Sequence, residues 1–388
     1  RLLFDVAVGL GLGHAAVFDQ QALGPADQPQ LHHLFMQLVV FLLKHHQAAA
    51  TGSSHVHRLA KGRPRKGLGQ HQHAALLHPL GQIAVSCRAS KNGISIIGDI
   101  PIYAAMDSAD VWVDPQLFTM DISLRPTLVA GVPPDYFSPT GQLWGNPLYN
   151  WDAMERGYSW WIARIGHAMK LFDMVRIDHF RAFDTYYAIP ADATTAEYGE
   201  WKQGPGMKLF NTVKEQLGDV NIIAEDLGDI FDSVKKLLSD TGFPGMRVLQ
   251  FGFNNEYQDN THLCHNYVNN CVAYTGTHDN DTIMGWLRSA DSKAAKMAKS
   301  YINANFLEHK NVSFIRSVYS SPAALAIIPM QDILGIDGRG RMNVPSTVGG
   351  NWTWRMKKPA SKKAARMMSR LATAYLRKSV TTAKAKDK

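Results

Sequence analysis

Three polar clusters interrupt apolar runs of this chain, and each holds a carboxylate. They are Val175-Arg176-Ile177-Asp178-His179-Phe180, Ile223-Ala224-Glu225-Asp226-Leu227-Gly228 and Thr275-Gly276-Thr277-His278-Asp279-Asn280-Asp281. Brought to one pocket, Asp178, Glu225 and Asp279 suit glycoside chemistry. One carboxylate attacks the anomeric carbon, and a second protonates the leaving oxygen and later deprotonates the incoming group. The third holds substrate hydroxyls as positive charge develops. Arg176 lies two residues before Asp178, so on a strand both side chains point to the same face. A guanidinium there would favour the ionised form that a nucleophile needs. The acid needs the opposite bias, a raised pKa. Spacing alone leaves other readings open. A single carboxylate at a strand end more often caps a helix or binds a loop, and a carboxylate cluster also suits Mg²⁺ or Mn²⁺.

The elements that must position these groups are legible around them. Near-continuous apolar runs at 95–103, 173–180, 221–227, 246–253, 271–278 and 323–329 read as strands buried on both faces. Amphipathic helical patterns fall between them, at about 158–172, 207–217, 231–241 and 282–306. Alternation of this kind predicts an α/β fold with a parallel sheet and right-handed crossovers. In a TIM-type (β/α)8 barrel all C-terminal strand ends face one mouth, where sites are built. Six strands would leave such a barrel incomplete by two, with the first two expected from the N-terminal region or missing. The stretch from Gly131 to Pro147, rich in Pro, Gly and aromatic residues, is expected to be neither helix nor central strand. Its rings suit the apolar faces of sugars, and its Asp, Gln and Asn suit their hydroxyls.

Composition divides the chain into three. Residues 1–92 hold ten of the sixteen His and no Glu, Trp or Tyr. That segment reads as foreign to the rest, with the composition of a mistranslated stretch, and is expected to lack a fixed fold. Its scattered His lack partner carboxylates and make a poor metal site. Residues 93–378 are expected to form the catalytic unit, and 379–388 a basic tail. The overall charge of +8 sits at the two ends: net +6 over 1–92 and +10 over 356–388, against −8 between. A solvated helix and tail account for the charge, so no nucleic-acid partner is expected. The terminal helix should pack Ala364, Met367, Met368, Leu371, Tyr375 and Leu376 on the core. Three cysteines without a CxxC pair indicate neither a disulfide framework nor a metal site, and fit a reducing, cytoplasmic setting. The longest apolar run is too short to span a bilayer, and the first residues, from Arg1, lack the order of a signal peptide.

From about residue 92 to 377 the chain resembles the 4-α-glucanotransferases known as amylomaltase or disproportionating enzyme, of the α-amylase clan. The residues that carry the resemblance are Gly98-Asp99-Ile100-Pro101-Ile102-Tyr103, Asp107-Ser108-Ala109-Asp110-Val111-Trp112, the stretch 129–147, the three carboxylate clusters, 244–251, and 327–334 with Arg341-Met342-Asn343. The resemblance implies Asp178 as nucleophile with Arg176 its partner, Glu225 as general acid/base and Asp279 as transition-state stabiliser. It implies that His278 binds a sugar hydroxyl, and that Tyr103, Asp135, Tyr136, Phe137, Trp144 and Asn343 line subsites. A Pro-Pro-Asp-Tyr-Phe loop partly covers the cleft in this family, which favours a sugar acceptor over water. The implied partners are maltooligosaccharides, amylose and glucose, with no metal and no organic cofactor. Residues 1–91 fall outside the resemblance. The alternatives are an α-glucan hydrolase of the same clan and an inactive glucan-binding remnant.

Overall fold

The computed structural model describes residues 88–378, apart from 135–137, 229, 254–259, 305, 346 and 348. The tail 379–388 and nearly all of the segment expected to be foreign lie outside the described residues. Ten strands follow in chain order: β1 Ile97–Pro101, β2 Leu128–Val132, β3 Gln142–Pro147, β4 Met174–Asp178, β5 Thr185–Pro190, β6 Glu200–Gln203, β7 Ile222–Ala224, β8 Gly245–Val248, β9 Cys271–Tyr274 and β10 Leu325–Ile327. All six expected strands are present, each shorter than its expected run and lying inside it except for Gly245, which precedes the run expected from residue 246.

The six pair in parallel as β1-β4-β7 and β8-β9-β10. The Ala224 N–H donates to the Pro244 carbonyl at 3.0 Å, which brings β7 alongside the start of β8. β7 and β9 are buried at every residue, as expected where both faces of a strand are covered. In β4, Val175 and Ile177 are buried while Arg176 and Asp178 are half-buried on the opposite face.

The connecting helices bury one stripe each. Helix Ser159–Leu171 turns Trp161, Ile162, Ile165 and Ala168 inward, against a core that includes Phe180, Phe183 and Phe210. Helix Met207–Leu217 buries Leu209, Phe210 and Val213. Helix Asp232–Thr241 ends at Gly242, whose φ of 70° places it in the left-handed region that glycine favours.

Several expectations are corrected. The helix expected over 282–306 is two, Ile283–Ser289 and Ser292–Tyr301. Asp291 breaks the run, because its carboxylate accepts the N–H groups of Lys293 and Ala294, both at 2.9 Å, and starts a second helix. The stretch 131–147 holds a β-hairpin. β3 is an edge strand, but Gly131 and Val132 belong to β2, which is internal to the antiparallel sheet β3-β2-β5-β6. Helix Lys310–Tyr319, with Phe314, Ile315 and Val318 buried, was not expected. The terminal helix is Lys362–Ala374, and Ala364, Met367, Met368 and Leu371 pack on the core. Leu376 is instead 90% exposed beyond the helix, at φ 54°. Arg377 is not merely solvated: its guanidinium donates to the carbonyls of Tyr319, Ser321 and Ala323 at 2.8, 2.8 and 2.9 Å. No described helix is long and apolar enough to cross a membrane.

Candidate active site

Arg176 is the hub of the strand-end cluster. Its Nη1 donates to both Asp99 oxygens at 2.9 and 2.8 Å, and its Nη2 donates to Asp178 Oδ1 at 2.6 Å. Neighbouring strands place all three: the register sets Asp99 of β1 opposite Arg176 of β4, with Asp178 two residues on. Burial opposes the guanidinium charge, but Asp99, Asp178 and Glu225 outweigh it and hold Arg176 firmly protonated. A cation therefore already sits among these carboxylates. Asp99 is itself raised by burial, against the pull of Arg176. It was missed as a site residue: it stands in the middle of β1, not at its end as Asp178 does in β4.

Glu225, one residue past β7, is 8% exposed. Its Oε2 accepts the N–H of His179 at 2.7 Å, and its Oε1 accepts the N–H of Leu227 at 2.9 Å. His179 follows Asp178 directly, so this bond holds the two carboxylates side by side. It requires His179 at φ 55°, a left-handed conformation that a non-glycine residue takes under local strain. Burial, then the charge of Asp178, pushes the Glu225 carboxyl up to about 7; Arg176 and the two backbone bonds oppose the shift. The adjacent Asp226 has a structural task. It accepts the Met246 N–H at 2.6 Å and pairs with Arg247 at 2.8 Å, which joins the end of β7 to β8.

The third carboxylate stands on the loop between β9 and helix Ile283–Ser289. Asp279 Oδ1 accepts from Asn343 Nδ2 at 2.6 Å, and its Oδ2 lies 3.4 Å from His278 Nε2. Arg341 donates to the Asp279 carbonyl at 2.7 Å and to the Asn343 carbonyl at 2.8 Å. The His278 ring lies 5.0 Å from that of Trp352. His278 has an electrostatic influence on the Asp99 carboxyl, the least of those acting on it, so this loop lies near the Arg176 cluster. Both ends of the loop are fastened by Asp332, which is 1% exposed. Its Oδ2 accepts the Thr275 hydroxyl at 2.6 Å and its Oδ1 accepts the Ile283 N–H at 2.8 Å. Burial pushes the Asp332 carboxyl up to about 6. Asp332, Arg341 and Trp352 were also missed as supports, since nothing in their spacing ties them to residue 279.

On the other side lies an aromatic wall. Trp144 of β3 meets the His179 ring edge-on at 4.8 Å and tilts against Tyr103 at 6.3 Å. Tyr103 is largely buried and stacks on Tyr149 at 5.9 Å. Asn146 Nδ2 donates to the Ala104 carbonyl at 3.0 Å and ties β3 to the chain after β1. The structure thus brings Arg176, Asp178, Glu225, Tyr103 and Trp144 together, with His278 and Asp279 on a separate loop and Asn343 bonded to Asp279 from downstream. Asp135, Tyr136 and Phe137 lie outside the described residues. Among the described residues, no three His, Cys, Asp or Glu are grouped as metal ligands.

Known proteins resemble this chain over most of the described residues. One family profile, described as 4-alpha-glucanotransferase, matches residues 80–361. The match starts upstream of residue 92, where the resemblance was expected to begin, and ends before 377. A 4-alpha-glucanotransferase of Streptococcus pneumoniae serotype 4 is 52% identical over 272 residues, covering 69% of this chain and 53% of the relative. One from Thermus thermophilus is 48% identical over 281 residues, covering 70% and 56%. The chain spans about half the length of the curated relatives it matches. Among solved structures, the amylomaltase from Streptococcus agalactiae in complex with acarbose is similar with a TM-score of 0.74 at 42% identity. It covers 76% of this chain and 60% of that one.

Proposed function

Because the chain belongs to the 4-alpha-glucanotransferase family, we propose that its site moves α-1,4-glucan segments from a donor chain to the 4-hydroxyl of an acceptor sugar, with retention at the anomeric carbon. The observation that carries this reading is the contrast in the settings of the paired carboxylates. Glu225 holds its proton up to about pH 7 beside Asp178, which Arg176 binds. That is the division of labour a double displacement needs. Asp178 attacks the anomeric carbon while Glu225 gives its proton to the departing glycosidic oxygen. The bond to that oxygen breaks, the shortened chain leaves, and the segment stays as an ester on Asp178. Glu225, now ionised, takes the proton of the acceptor hydroxyl, whose oxygen displaces Asp178. Asp279, held by Asn343 and flanked by His278, grips ring hydroxyls as charge develops. Tyr103 and Trp144 line the subsites.

On this reading β1, β4, β7, β8, β9 and β10 are strands 3 to 8 of a (β/α)8 barrel, and residues 93–378 form the catalytic unit. The acarbose held by the related amylomaltase supports maltooligosaccharides and amylose as donors and glucose or short glucans as acceptors. The buried free thiols Cys264 and Cys271 fit a cytoplasmic setting. The test is incubation with maltotriose beside an Asp178→Asn chain, with products separated by size. A ladder of longer oligosaccharides plus glucose, absent with the variant, is expected. Shortened products without longer ones would replace transfer by hydrolysis, and no products would refute activity in this chain.

A further inference from the structure

We propose that Trp201 and Phe231 form a platform for glucose units of an α-glucan lying beyond those next to the transferred bond, a site that sets preference for longer chains. The proposal rests on the glucanotransferase reading. Trp201 of β6 is 37% exposed and Phe231 40% exposed. Their rings meet at 5.2 Å and 73°. Both cover the guanidinium of the buried Arg181, at 4.1 and 4.6 Å from the ring centroids. Tyr187 supports Trp201 from the side at 5.1 Å. A shared cation and edge-on packing fix the rings before any ligand arrives, so little side-chain freedom is lost on binding.

Position assigns the occupant. Arg181 stands three residues past Asp178, on the helical turn that follows β4. Phe231 ends the loop that begins at Glu225. Ser233 donates to Asp184 at 2.7 Å and ties the two loops together. Arg181 and Phe231 thus lie on the segments that follow the two paired carboxylates, and Trp201 meets them from β6. The charge of Arg181 acts on both His179 and Tyr103, the residues packed against Trp144. Arg181, and the rings that cover it, therefore stand on the side of the site that carries the Trp144 wall. Glu200 and Asp232, beside the rings in sequence, pair with Lys202 and Lys235, both at 2.9 Å, and this balance of charge suits a neutral sugar chain.

The test uses the full chain with Asp178→Asn, which stops turnover, and titrates maltotriose and maltoheptaose calorimetrically. Maltoheptaose should bind more tightly. Adding Trp201→Ala should weaken maltoheptaose roughly tenfold and maltotriose less than about twofold. Trp201→Phe should recover most of the loss. Phe231→Leu, which keeps Arg181 covered and so guards against misfolding, should also act on the longer sugar alone. Equal effects on both sugars, no effect on either, or maltoheptaose binding no tighter than maltotriose would overturn the platform. Failure of the original chain to make a ladder from maltotriose would instead sink the transferase reading, and the calorimetry would still decide the platform.

Discussion

Replacing Glu225 with Gln should stabilise the protein while abolishing transfer. The carboxyl is pushed from 4.5 up to about 7, first by burial and then by Asp178. The fold therefore prefers the protonated acid. Stability is full below the unfolded value, declines as pH rises between the two, and is flat above the folded value. At about 1.4 kcal/mol per tenfold, the complete loss is about 3 kcal/mol, of which about 2.5 falls between about pH 5 and about pH 8. Gln keeps the size of Glu and does not titrate. Its amide satisfies the N–H groups of His179 and Leu227 less well, but that cost is the same at every pH. The difference between the two chains across the pH series is therefore the informative quantity. Urea denaturation at each pH measures it. The variant should gain about 2.5 kcal/mol on the parent from about pH 5 to about pH 8, while transfer from maltotriose falls by about 10²–10⁴-fold. In an Asp178→Asn background the gain should shrink, because one of the two causes of the shift is removed. Parallel curves of stability against pH for the parent and the Glu225→Gln variant would refute the argument, since the carboxyl would then ionise in the fold as it does in the unfolded chain.

Three other perturbations probe the supports. Arg176→Lys leaves one ammonium to serve Asp99 and Asp178 together; kcat should fall at least about 10²-fold, with a loss of about 3–5 kcal/mol in unfolding free energy. Asp332→Ala frees the Thr275 hydroxyl and the Ile283 N–H at both ends of the Asp279 loop. It should lower kcat for maltotriose more than it raises KM and cost about 3 kcal/mol, and Asp332→Asn, which keeps one acceptor, should cost less on both counts. Gly131→Ala would press a methyl onto the Gln142 carbonyl of the paired strand β3; a loss of about 1–3 kcal/mol is expected on thermal unfolding, with weaker sugar binding because the same hairpin carries Trp144.

The parallel strands were legible because burial on both faces leaves a continuous apolar run, as in Ile222–Ala224 and Cys271–Tyr274. The shared face of Arg176 and Asp178 followed from the period of a strand, and their bond at 2.6 Å is its consequence. The antiparallel sheet was not legible. Most of β6 is exposed, and β3 contains Gly145 and ends on Pro147, so neither shows an alternation of apolar and polar residues. Helix Lys310–Tyr319 was hidden for another reason. Ser313 and Ser317 occupy buried positions, where their hydroxyls donate to Glu308 and to the Ser313 carbonyl, and they interrupt the apolar stripe that would have marked the helix.

The three strand-end carboxylates look alike in sequence, and what separates them lies in partners brought from elsewhere. Asp178 is bound by a guanidinium that β1 fixes through Asp99. Glu225 is buried beside the charge of Asp178, which pushes its carboxyl up to about 7 although its oxygens accept two backbone N–H groups. Asp279 is met by the neutral amide of Asn343 and held by Arg341, sixty-four and sixty-two residues downstream. A cation, burial beside a like charge and a neutral side chain are three different electrostatic settings, and on the proposed reading they suit attack, proton transfer and hydroxyl binding in turn. Local spacing finds such a site because strand ends converge; it cannot assign the roles, because each assignment depends on a contact between segments far apart in the chain.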